Sequence, residues 1–184
     1  VHKLICASNE NKVLADFFAT GTYDRRRPFY QTISPSMDIL ISSNLERFLF
    51  EINARDAAAI RRWMEALQVE GHFTVDPGTK AAMDERMWGG YATEAETLAT
   101  IREVFRDCGY TLDPHTAVGM KVYWDYRRES GDQRVTVLAA TASPFKFNAS
   151  VLRAIAGEER WRAWTSLPCW RSWPGFRACR CIRG

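Results

Sequence analysis

Thr141 closes an apolar run, residues 135–140 (VTVLAA), and Ser143-Pro144 prevents that run from continuing in a hydrogen-bonded ladder. In open α/β sheets, ligands gather beyond the carboxyl ends of strands. A threonine hydroxyl placed there can offer a ring nitrogen a hydrogen bond without adding charge. The same hydroxyl can also cap the adjoining turn, and the local pattern leaves both readings open. Lys146 is the lysine nearest Thr141 and the natural candidate for a covalent amine. Lys3, Lys12, Lys80 and Lys121 read as solvated amines. Ser34, Ser36 and Asp38 cluster at an expected helix start, where they could receive an anion or simply cap the helix. His115 follows Asp113-Pro114 in the first turn of a helix, as a base or as a structural residue. Arg25-Arg26-Arg27 reads as a solvated loop, and His2 and His72 carry no signal.

These side chains need elements to hold them. Residues 3–7 have the composition of a buried strand, and the polar cluster Ser8-Asn9-Glu10-Asn11 suits the capped start of a helix. Val13, Leu14, Phe17 and Phe18 recur at helical spacing, and Gly21 is the expected stop. Residues 23–33 read as a loop. Ser42, Ser43 or Asn44 can cap a helix over residues 45–52, and residues 57–69 are helical by propensity and spacing. Gly71 and Asp76-Pro77-Gly78 punctuate the stretch beyond that helix. Thr93 and Glu96 have the form of a capping box, opening a helix that stops near Gly109. Asp113-Pro114 opens another, ending near Glu129. Residues 134–140 are expected to form a second buried strand, and residues 148–155 a short helix. Two buried strands separated by a long helical excursion predict an α/β fold with a partial parallel sheet and flanking helices. Two strands cannot make a stable open sheet, so neighbouring strands are expected elsewhere.

Charge divides the 184 residues unevenly. The net charge is +3, yet residues 160–184 hold six arginines and no acid, leaving 19 basic against 22 acidic residues before them. The mildly acidic bulk gives no electrostatic reason to bind nucleic acid. No run approaches the roughly 18 apolar residues of a membrane span, and no secretory leader opens the chain. Cys6 and Cys108 read as small buried thiols. The cysteine spacings fit no common zinc pattern, so no metal site is expected, and a reducing, cytoplasmic setting is.

Four segments together resemble the threonine synthase family. They are residues 4–14 (LICASNENKVL), residues 33–39 (ISPSMDI) with 43–47 (SNLER), residues 113–118 (DPHTAV), and residues 141–147 (TASPFKF). Their order matches the family's carboxyl-terminal part over residues 1–157. The resemblance implies a fold-type II pyridoxal-phosphate enzyme, like the tryptophan synthase β family, with a large helical insertion. It implies conversion of O-phospho-L-homoserine and water into L-threonine and phosphate. It further implies that Thr141 binds the cofactor by hydrogen-bonding its pyridine nitrogen. In that family Lys146 falls on a downstream loop, and the Schiff-base lysine and the glycine-rich phosphate loop lie upstream of Val1. No catalytic residue is therefore expected here, the missing amino-terminal region is the expected partner, and the chain alone is expected to be inactive. A dehydratase or sulfhydrylase of the same fold type is the alternative reaction.

Residues 158–184 depart from the family. Trp161, Trp164, Trp170 and Trp173, three cysteines and six arginines resemble GC-rich DNA read in the wrong frame. A frameshifted tail is expected. The alternatives are an amphipathic membrane-surface helix, which Pro168 and Pro174 oppose, and a non-catalytic module gripping single-stranded nucleic acid.

Overall fold

A computed structural model describes residues 1–157 and Trp161. The readings of the tail lie outside the described residues. The opening apolar run forms β1 (Leu4–Ser8), followed by α1 (Val13–Thr20), which ends on Gly21 in the left-handed conformation. A short strand β2 (Thr22–Asp24) leads through a 3₁₀ turn (Pro35–Met37) to α2 (Leu45–Ile52) and α3 (Ala57–Val69). Then come β3 (His72–Thr74), α4 (Pro77–Arg86) and β4 (Met87–Tyr91). The long helices α5 (Glu94–Cys108) and α6 (Pro114–Ser130) follow, with a second 3₁₀ turn (Pro144–Phe147) and α7 (Asn148–Ala156) closing the set.

The parallel sheet expected from the apolar runs exists, but its second strand is a different one. β1 pairs in parallel with β4, Leu4 opposite Met87 and Ser8 opposite Tyr91. The Trp88-Gly89-Gly90 core of β4 lacks the β-branched composition usual in a strand. Packing explains it. A Cβ on Gly89 would lie 2.9 Å from Phe18 Cβ and 3.2 Å from the Ala15 backbone on α1, whereas one on Gly90 would lie 2.9 Å from Val122 on α6. Successive strand residues face opposite sides, so the two glycines admit a helix against each face of the sheet. That is the covering a parallel ladder needs. β2 and β3 form a separate antiparallel pair, Tyr23 opposite Phe73.

Residues 134–140 do not form a strand. They run without regular structure, with Val135 97% and Val137 91% exposed. Their apolarity is that of a buried strand, but no described strand lies beside them to complete a ladder. One other expectation gives way, the burial of Cys108. Cys108 is exposed at the end of α5, while Cys6 is half-buried on β1. Burial pushes the Cys6 thiol up to about 11.

Two cores hold the elements. Phe17, Phe18, Tyr23, Leu49, Ile60, Phe73 and Met83 form the first, with the Tyr23 and Phe73 rings stacked at 5.5 Å. Ile101, Val104, Leu112, Ala117, Val151 and Ala154 join α5, α6 and α7 in the second. Phe17, Leu49, Met83 and Ile101 are fully buried, and each such side chain contributes roughly 1.5–3 kcal/mol. The expected capping box is present: Thr93 Oγ1 accepts from the Glu96 amide at 3.3 Å and Glu96 accepts from the Thr93 amide at 2.9 Å. Among the described residues, no helix is long and apolar enough to cross a membrane.

Candidate functional site

The turn after β1 was expected to cap α1. It does not: the residue at the cap position is Lys12, and it makes no side-chain capping bond. Asn9 and Asn11 are instead buried, 1% and 2% exposed, and turn toward the loop before α2. Asp38 is their common acceptor. Its Oδ1 receives Asn9 Nδ2 at 2.7 Å, Asn11 Nδ2 at 3.1 Å and Thr32 Oγ1 at 2.8 Å, and its Oδ2 receives the Thr32 amide at 3.0 Å. Asn9 also donates to Ser34 Oγ at 3.1 Å. Asn11 bonds the Tyr30 backbone in both directions, at 2.7 and 2.9 Å. Ser34 makes no side-chain capping bond to the Pro35–Met37 turn. The Ser34 and Asp38 side chains are therefore spent on binding two loops together, which accounts for them better than either capping or anion binding. Two buried amides bonded to one half-buried carboxylate give such a junction rigidity.

A third segment joins at His115. Asp113 caps α6 by accepting the His115 amide at 2.9 Å and the Thr116 amide at 3.3 Å. The same carboxylate takes the Thr116 hydroxyl and stands 3.1 Å from His115 Nδ1. Burial raises the Asp113 pKa, but the hydrogen bonds from Thr116 and His115 outweigh it and hold the carboxyl below its usual range. On the other side of the imidazole, Nε2 accepts the Ser36 amide at 3.2 Å. The fourth segment arrives with Phe147, whose ring meets His115 edge-on at 4.8 Å.

Beside these contacts opens a cleft of about 730 Å³, reached by Ser36 and His115. Ile5 and Ala7 of β1, Ser36 and Met37 of the 3₁₀ turn, and His115, Gly119 and Tyr123 of α6 line it, with residues 134–139 and Thr141 along the remaining side. Gly119 lets the last of these pass: a Cβ there would lie 2.8 Å from Leu138 Cδ1. Thr141 thus reaches the cleft, although from an irregular segment rather than from the end of a strand. Sequence reasoning singled out Thr141 and His115, both of which line the cleft, but missed the Asn9–Asp38 junction. The signal was present as paired amides beside a lone acid, and capping explained the same residues more locally.

The lysines lie away from this cleft or are already occupied. Lys3 lines it, yet its Nζ donates to the carbonyls of Asp84 and Glu85 at 2.8 and 3.0 Å. Lys121 is paired with Glu96 and Asp125, Lys80 with Asp84, and Lys12 lies over the Tyr91 ring. Lys146 sits exposed on the Pro144–Phe147 turn and is not among the lining residues. Among the described residues, no group of three metal-ligating side chains occurs.

Comparisons with known proteins converge. A family model described as the threonine synthase carboxyl-terminal region matches residues 116–170. Human threonine synthase-like 1 is 38% identical over 160 residues, covering 86% of this chain and 21% of the relative. Threonine synthase from Pseudomonas aeruginosa is 34% identical over 158 residues, covering 86% of this chain and 33% of the relative. The crystal structure of pyridoxal-phosphate-bound threonine synthase from Brucella melitensis superposes with a TM-score of 0.76 and 42% identity, over 84% of this chain and 32% of that one. The yeast enzyme gives 0.79 at 29% identity, over 90% and 38%. The chain therefore spans about a fifth to a third of the length of the curated relatives it matches.

Proposed function

Because this chain corresponds to a carboxyl-terminal part of threonine synthases, we propose that it supplies one wall of a pyridoxal-phosphate site. The complete enzyme would convert O-phospho-L-homoserine and water into L-threonine and phosphate. The observation that carries this reading is spatial: the four segments behind the resemblance meet around one cleft, joined through Asp38, His115 and Phe147. Residues 1–157 form the enzyme part in this reading; the family match runs on to residue 170, so an unrelated tail would begin beyond it. A cytoplasmic setting belongs to the same reading.

The residues present suit the cofactor on one side. Thr141 offers an uncharged hydroxyl on a cleft with apolar and aromatic lining from Ile5, Ala7, Met37 and Tyr123, which suits a planar ring with one polar nitrogen. Bound there, pyridoxal phosphate supplies an electron sink for breaking bonds near the amino acid's α carbon. Thr141 would hold the ring nitrogen through its neutral hydroxyl, a partner that would leave that nitrogen unprotonated. Ser36 and Met37, held between two anchors, limit the space opposite. The covalent lysine and the phosphate-binding loop come from the amino-terminal region of the enzyme, in keeping with the occupied lysines on this side.

The test is reconstitution. The chain is refolded with the lysine-bearing amino-terminal portion of a threonine synthase, and phosphate release from O-phospho-L-homoserine is measured. Release is expected from the pair and not from the chain alone. Thr141→Val should lower it about tenfold, the loss of a hydrogen bond worth roughly 1.4 kcal/mol. Turnover of serine without phosphate release would replace this reading with a dehydratase.

A further inference from the structure

We propose that His115 is a positioning residue: a neutral imidazole, its proton fixed on Nδ1 by Asp113, whose Nε2 holds the Ser36–Met37 wall of the cleft in place. The assignment of the proton rests on the partners. The Ser36 group is a backbone N–H and can only donate, so Nε2 must present its lone pair. Nδ1 then carries the hydrogen and directs it to Asp113 Oδ1 at 3.1 Å. The imidazole side chain is 10% exposed and the carboxylate 2%, which shields the Nδ1 bond from water, whereas Ser36 lies at the surface.

The wall gains two anchors from this arrangement. Asp38, gripped by Asn9, Asn11 and Thr32, fixes the far end of the Pro35–Met37 turn to the segment following β1. His115 fixes its near end to α6. Ser36 lies in the first turn of a 3₁₀ helix, where backbone amides lack partners from within the helix, so the imidazole answers a need that the turn creates. The Phe147 ring, edge-on at 4.8 Å, sets the plane of the imidazole from the side that carries Thr141. His115 thus touches both the Ser36 wall and the Pro144–Phe147 turn that follows Thr141. Its part in turnover rests on the function proposed above, whereas the clamp itself does not.

The chemistry predicts which replacement will serve. Gln places an acceptor near the position of Nε2, whereas Asn reaches only that of Nδ1. The full chain, labelled with ¹⁵N, is read by long-range ¹H–¹⁵N correlation at neutral pH. His115 is expected to show a protonated Nδ1 and an unprotonated Nε2. Hydrogen exchange at the Ser36 amide should quicken about fivefold in His115→Asn, the equivalent of one net hydrogen bond, and return close to the parent rate in His115→Gln. In the reconstituted enzyme, phosphate release should fall in His115→Asn and recover in His115→Gln. A proton on Nε2 in the unaltered chain, or equal Ser36 exchange in the two variants, would overturn the clamp. If the clamp is seen but the parent pair releases no phosphate, the functional reading fails and the clamp stands.

Discussion

Asp113 serves as helix cap, hydroxyl acceptor and partner of an imidazole, and its value depends on charge. Its folded pKa lies below the usual carboxylate range, so its contribution to stability is present above the unfolded value and is lost as pH falls through the folded one. Glu96 behaves alike, held low first by the Thr93 amide. Asp113→Ala should cost about 1–2 kcal/mol at pH 7, measured by urea unfolding, and less at pH 3, where this carboxyl is largely protonated in the unfolded chain. An equal cost at both values would show that the ionised carboxylate is not what matters. At this scale the site was partly legible. Thr141 stood out because an apolar run ended in a hydroxyl before a proline. The junction of Asn9 and Asn11 with Asp38 did not, since the partners lie between 19 and 29 residues apart in sequence and short polar clusters near helix starts have a simpler local explanation.

Elements with signals at their own ends were read closely. Thr93 with Glu96, and Asp113 with Pro114, mark α5 and α6 because caps are local chemistry, complete within four residues. β4 escaped because its fitness as a strand is tertiary: Gly89 and Gly90 are there for the helices that press on them. The two positions should differ in tolerance. Gly89→Ala meets the Ala15 backbone and Phe18 Cβ, neither of which can swing aside, and should lower stability by about 1–3 kcal/mol. Gly90→Ala meets the side chains of Trp88 and Val122 and should cost less. Paired thermal melts check the order. The converse error, residues 134–140, has the same origin. Strand composition was legible, but a strand also needs a neighbour, and composition cannot supply one.

For the molecule as a whole, that neighbour is the open question. The fold places a sheet of two parallel strands beside an apolar segment with no ladder, and parallel sheets are normally covered and continuous. In the function proposed here, the amino-terminal portion of the enzyme lies against this side. Binding it should slow amide exchange across residues 134–140 while leaving α5 and α7 unaffected, since those helices already pack on one another.

The same bare segment governs how the chain behaves in solution. Irregular backbone outside the described ladders, carrying the exposed Val135 and Val137, invites another copy to pair with it edge to edge. Crowding therefore works against this chain: its monodispersity should have a ceiling, visible as rising light scattering with concentration. Val137→Lys should raise that ceiling by placing a charge where a second copy would dock.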